Sequence, residues 1–294
     1  MLELIDVRRS FGAIRALEDV SFVVRPGRLT GFIGANGAGK TTTKRIILGV
    51  LAADSGHVRW RGADVTASDR RRFGYMPEER GLYPKMTVVD QLVFFARLHG
   101  VGVRDARRRA EELLGELGLG DRAGDRLEKL SLGNAQRAQV AASLIHDPEL
   151  LVLDEPFSGL DPMAVDVMGA MLRRRAAAGV PVLFSSHQLD LVESLCDDVV
   201  LIHAGRIVAT GEARDLRRTH RPDRYRIQLG GDAGWLRDRS DLQVLDVEGP
   251  SALVELRPGA DDQALLAAAL ERGPVHAFSP VVPTLAEIFR EVAR

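Results

Sequence analysis

Short apolar runs open the chain and predict β-strands at Leu2 to Val7, Val20 to Val24 and Leu29 to Ile33, the last ending at Gly34. A glycine-rich turn follows, and then Lys44 to Leu51, whose composition favours a helix. Strands resume at Val58 to Trp60 and Phe73 to Met76. From Thr87, an N-cap residue for Val88 to Leu98, the apolar period becomes helical and continues through Ala106 to Leu117 and Asn134 to Ile145. Alternation then returns, with strand Leu150 to Leu153, helix Met163 to Ala178 and strand Val180 to Phe184, followed by Val199 to Ile202 and Arg206 to Thr210. Such alternation predicts an α/β core with a parallel sheet, into which a helical segment is inserted.

The charged stretch Arg217 to Asp223, which contains Pro222, breaks the pattern and reads as a linker. Beyond it the chain parses as strand Tyr225 to Leu229, helix Gly234 to Arg239, strands Leu242 to Val247 and Ala252 to Leu256, helix Asp261 to Arg272 and strand Val275 to Phe278. That β-α-β-β-α-β order is the split ferredoxin-like arrangement. A last helix starts at Thr284, with Glu287 completing a capping box. Two domains follow: residues 1–219, with a helical subdomain at about 87–147, and an accessory α+β unit at 220–294.

Composition narrows the classes. At 294 residues, 45% apolar and 28% charged, the chain can bury large cores, which excludes a disordered tail and a disulfide-stapled miniprotein. Forty basic against forty-one acidic residues leave a net charge of −1, so no global field draws it to nucleic acid. Arg70 to Arg72 and Arg107 to Arg109 read as solvated faces. The only cysteine, Cys196, cannot bridge within the chain and reads as a small core residue. No apolar run approaches the roughly 18 residues of a membrane span, and the first residues lack a signal-peptide layout. These features predict a cytoplasmic protein that meets any membrane from outside.

The candidate chemistry starts at Gly34-Ala35-Asn36-Gly37-Ala38-Gly39-Lys40-Thr41, which fits G-x-x-x-x-G-K-[ST] between a strand and a helix. Glycines let backbone amides approach phosphates, the helix N-terminus favours their charge, Lys40 can reach the β/γ-phosphates and the Thr41 hydroxyl can ligate Mg²⁺. Leu150 to Leu153 ends in Asp154 and Glu155. Asp154 suits the Mg²⁺ water shell and Glu155 is placed to polarise an attacking water, although two acids at a strand end also serve as N-caps. Ser185-Ser186-His187 puts an imidazole near the same sheet edge, a weak signal by itself. Ser131 and Gly133, in Leu130 to Gln136, start a helix and make either an anion site or an ordinary cap.

In this order the residues resemble the ATP-binding subunit of an ABC transporter over about the first 215 residues. The resemblance implies a P-loop NTPase core with an N-terminal β subdomain and a helical insertion. It assigns Phe11 to adenine stacking, Gly34 to Thr41 with Thr42 to the nucleotide phosphates, and Glu78 to the Q-loop position beside Mg²⁺. Ser131, Gly133 and Asn134 fall in the signature, Asp154 and Glu155 in Walker B, Asp161 in the D-loop, and His187 at the switch histidine. Two such subunits close head to tail in this family, which assigns Ser131 and Gly133 to the ATP of a partner. The chain departs from the family pattern at Leu132 and Asn134 in the signature, at Glu78 for Gln and at Phe11 for Tyr. Pro77 to Pro84 and the altered signature are similar to sodium-efflux and drug-efflux ATPases that carry an extra C-terminal domain.

The implied function is ATP hydrolysis, with ATP and Mg²⁺, in a homodimer or heterodimer docked on a separate permease at the inner membrane face, powering export. Nucleic acid is not an expected partner. The alternatives are a soluble ABC ATPase acting on ribosomes or nucleic acid, and a nucleotide-binding regulator with little hydrolysis. A single P-loop without a long coiled-coil insertion argues against the first, and the presence of Glu155 and His187 against the second.

Overall fold

The computed structural model describes residues 1–79, 81–219 and 223–292. The centre of the expected linker, 220–222, and the expected domain boundary lie outside the described residues. The chain divides into two compact units, Met1–Ala213 and Arg214–Val292.

In the first unit, β1 (Leu2–Phe11) and β2 (Ile14–Val24) form a hairpin, longer than its apolar runs suggest, and lead into β3 (Leu29–Ile33) and α1 (Lys40–Ile47). β4 (Ser55–Trp60), β5 (Ala63–Asp64), α2 (Ala67–Arg70) and β6 (Phe73–Met76) follow. The helical segment comprises α3 (Val88–Leu98), α4 (Val103–Glu116) and α5 (Leu132–Leu144). Thr87 caps α3 by accepting from Asp90 N at 3.2 Å, and Ser131 caps α5 by accepting from Asn134 N at 3.3 Å. The alternating region returns as β7 (Leu150–Asp154), α6 (Pro162–Ala177), β8 (Val182–Ser186), α7 (Leu189–Leu195), β9 (Asp198–His203) and β10 (Arg206–Glu212).

These strands make two sheets. The first has order β2-β1-β4-β5 and the second order β10-β9-β3-β8-β7-β6, in which all but β10 run parallel. Strands β3, β7 and β8 are buried at every position, as parallel strands covered on both faces must be. One core joins the sheets: Phe22 lies 5.3 Å from Phe32 and Trp60 lies 5.3 Å from Phe73, ring centre to ring centre. Because β3, β8 and β7 are neighbours, the turns after Ile33, Asp154 and Ser186 open at one sheet edge, the usual ligand position in such sheets.

The second unit begins within α8 (Ala213–Thr219), so Arg217 to Thr219 are helical where a linker was expected. Ala213 and Leu216 are both buried, and this apolar pair at helical spacing outweighs the surrounding charge. β11 (Arg224–Leu229), β12 (Leu242–Glu248), β13 (Ser251–Leu256), α9 (Asp262–Arg272) and β14 (Val275–Pro280) give an antiparallel sheet of order β12-β13-β11-β14. The helix expected from Gly234 to Arg239 is a 3₁₀ turn, Gly234–Asp238, too short to propagate as an α-helix. α10 (Leu285–Val292) starts from the expected capping box, with Thr284 N donating to Glu287 Oε2 at 2.8 Å and Glu287 N to Thr284 Oγ1 at 3.2 Å.

Candidate functional site

After Ile33 the chain turns through 34–39 into α1. Gly34 has no room for a side chain, since a Cβ there would sit 2.4 Å from the Ile202 carbonyl oxygen. Gly39 has φ +111°, a left-handed conformation suited to glycine, and becomes the N-cap of α1. It offers no side-chain acceptor, so the first helical amides remain available to an anion. The helix begins at Lys40, earlier than the apolar pattern indicated. Buried Lys40 donates to the carbonyls of Gly34 and Ala35. A buried cation held by neutral carbonyls gains strongly from an arriving phosphate.

Asp154 closes β7 beside Ser185, its register partner on β8, and Ser185 Oγ donates to Asp154 Oδ1 at 2.6 Å. Lys44, one turn after Lys40, brings its ammonium against the same Asp154 Oδ1 and donates to Ser185 Oγ at 2.8 Å. Burial lowers the Lys44 ammonium from its ordinary value, and the Asp154 carboxylate pulls it back up.

Glu155 adopts φ +49°, a strained conformation for a residue with a side chain. Gln136 Nε2 holds this bend by donating to the carbonyls of Glu155 at 2.8 Å and Pro156 at 3.2 Å. The Glu155 carboxylate, largely buried, meets His187 Nδ1 at 3.0 Å. From the same helix, Gln139 Nε2 donates to the carbonyls of Pro77 at 2.7 Å and Glu79 at 3.3 Å, holding the loop that carries Glu78. Helix α5 therefore anchors both acidic loops.

A cleft of about 300 Å³ collects Ala35, Asn36, Gly37, Gly39, Lys40, Thr41 and Thr42 on one side, and Glu78, Asp154 and Glu155 on the other. A second cleft of about 420 Å³ is lined by Asn36, Glu78, Glu155 and His187 together with Leu132, Gln136 and Ser158. The hydroxyl and carboxylate oxygens of Thr41, Asp154 and Glu78 are the donor type a hard cation takes. No three His, Cys, Asp or Glu side chains among the described residues make a closed metal cage. The oxygens therefore fit Mg²⁺ bound jointly with nucleotide phosphates rather than alone.

Seven expected nucleotide contacts, Phe11, Gly34, Ala38, Ser131, Gly133, Asn134 and Asp161, do not line the cleft around Lys40. Exposed Phe11 ends β1 with the Arg9 guanidinium 4.9 Å from its ring centre. Ser131 caps α5, Asn134 accepts from Arg137, and a Cβ on Gly133 would lie 3.2 Å from the Gly159 carbonyl oxygen. Asp161 caps α6 by accepting from Ala164 N at 2.8 Å. Sequence reasoning gave no role to Lys44, Gln136, Gln139 or Ser185. Only Lys44 left a signal, its spacing of four from Lys40 on one helix face.

Residues 17–158 match the family model described as ABC transporter, and residues 211–293 match the ATP-binding protein DrrA1-3-like C-terminal domain. The chain is 36% identical over 293 residues to the ABC transporter ATP-binding protein YhaQ of Bacillus subtilis, covering 99% of this chain and 98% of YhaQ. It is 34% identical over 219 residues to the linearmycin resistance ATP-binding protein LnrL of Bacillus subtilis, covering 74% and 70%. The solved structure of an ATP-binding subunit of an ABC transporter superposes with a TM-score of 0.69 at 34% identity, covering 74% of this chain and 92% of that one. No helix among the described residues is long and apolar enough to cross a membrane.

Proposed function

The chain belongs to the ABC transporter family as an ATP-hydrolysing subunit that powers transport, and on that premise we propose how its own residues do so. Lys40, Thr42 and the amides of 34–41 hold the phosphates, and Phe11 stacks on the adenine. Thr41, Asp154 and Glu78 would hold Mg²⁺, which when bound neutralises phosphate charge. Glu155 orients the attacking water and takes its proton as the new oxygen bond to the γ-phosphorus forms and the bond to the ADP oxygen breaks. His187 holds the Glu155 carboxylate in that orientation. The observation that carries this reading is the single cleft that sets Lys40 and Thr41 against Asp154 and Glu155.

Ser131, Gly133, Asn134 and Asp161 serve the ATP of a second ATPase subunit, in a homodimer or heterodimer. Their place at the N-terminal ends of α5 and α6, apart from the cleft around Lys40, supports that role. The dimer docks on a separate permease at the inner face of the cell membrane and drives export, a direction supported by the resistance function in the name of LnrL. Purification with the associated membrane protein, followed by phosphate release from Mg-ATP, tests this. Recovery only with ribosomes or nucleic acid, or a permease complex without ATP turnover, would overturn it.

A further inference from the structure

A lysine that is 1% exposed sits directly on the carboxylate at the end of β7, itself 3% exposed. Lys44 approaches Asp154 from α1, across β8, and its ammonium bridges Asp154 Oδ1 and Ser185 Oγ. The Lys44 ammonium and the Ser185 hydroxyl both meet Oδ1, and Asp154 still lines the cleft with Thr41. The region around the P-loop therefore holds two buried ammonium groups, Lys40 and Lys44, on consecutive turns of one helix. Lys40 contacts backbone carbonyls, while Lys44 contacts the acid expected to face the metal.

Resting on the reading that Asp154 belongs to the Mg²⁺ shell, we propose that Lys44 is a positioning residue that sets how strongly nucleotide binding depends on the metal. It stays paired with Asp154 when nucleotide enters, fixing the carboxylate and supplying part of the positive charge that the phosphates otherwise obtain from Mg²⁺. A buried positive charge favours the anionic nucleotide and disfavours a second cation nearby, and it acts over several ångströms because little water screens it. The two effects have opposite signs, and loss of mere packing would not separate them.

The test uses the full chain and a fluorescent ATP analogue, titrated once with excess Mg²⁺ and once with EDTA. The readout is the ratio of the metal-free to the Mg²⁺ dissociation constant. Lys44→Met and Lys44→Gln remove the charge, the second keeping a donor for Asp154 should the first fold poorly, while Lys44→Arg retains it. The neutral variants should raise the ratio about tenfold, mainly by weakening metal-free binding, and Lys44→Arg should stay near the parent. An unchanged ratio in the neutral variants, or an equal change in Lys44→Arg, overturns the proposal. Asp154→Asn should lower the ratio. If it does so while the Lys44 variants do not respond, the role of Lys44 fails alone, and if Asp154→Asn also leaves the ratio unchanged, the assignment of Asp154 fails and takes the proposal with it.

Discussion

Glu155 Oε2 and His187 Nδ1 meet at 3.0 Å although 32 residues separate them in the chain. They emerge from β7 and β8, neighbouring parallel strands, so the pair is a product of strand order. Glu155 is largely shielded while His187 is 61% exposed, which leaves the imidazole free to move with what enters the adjoining cleft.

Glu155→Gln should keep ATP binding and lower kcat by about a hundredfold or more, because an amide cannot take the proton of the attacking water. ATP-loaded dimers should accumulate, visible by size-exclusion chromatography with Mg-ATP. A monomeric, fully active variant refutes the role. His187→Ala should reduce kcat less, and in the double variant its effect should largely vanish because it acts through Glu155.

Glu78→Ala should raise the Mg²⁺ concentration needed for half-maximal ATPase activity several-fold, since a carboxylate facing the cleft binds a hard cation directly. Glu79→Ala should stay near the parent, because Glu79 meets α5 through its carbonyl, which accepts from Gln139. Matching Mg²⁺ titrations remove the metal role from Glu78 if the two variants agree.

Half-buried His146 donates from Nε2 to the Phe73 carbonyl at 3.2 Å and stacks on His99 with ring centres 3.8 Å apart. Burial first and the neighbouring His99 second lower its pKa to about 4. The unfolded imidazole protonates near pH 6.5, so between the two values the unfolded chain binds more protons. This contribution to stability is complete above about pH 6.5 and lost as pH falls through about 4, amounting to about 2 kcal/mol after allowing for partial exposure. His146→Gln should flatten the fall in denaturant-unfolding free energy between pH 7 and pH 4, and parallel curves for parent and variant would refute it.

A chain shortened to residues 1–219 should remain folded and bind ATP, because every nucleotide contact assigned above precedes the unit that begins at Arg214. Nucleotide titration of the shortened chain checks this. A soluble, folded product unable to bind would show that the second unit takes part in the site.

Local chemistry was legible in the order of residues. The phosphate loop is contiguous from Gly34 to Thr41, so its spacing alone encodes a cradle of backbone amides on a helix N-terminus, and the strand Leu29–Ile33 is bounded by the same glycine. Asp154 and Glu155 were legible because an apolar strand delivers them together. Contacts between elements were not. The Lys44–Asp154–Ser185 cluster, the Glu155–His187 pair and the anchoring of two loops by Gln136 and Gln139 arise when α1, β7, β8 and α5 are brought side by side. Period and propensity describe a single element, whereas these contacts depend on strand order and register between distant segments, which only the packed sheet decides.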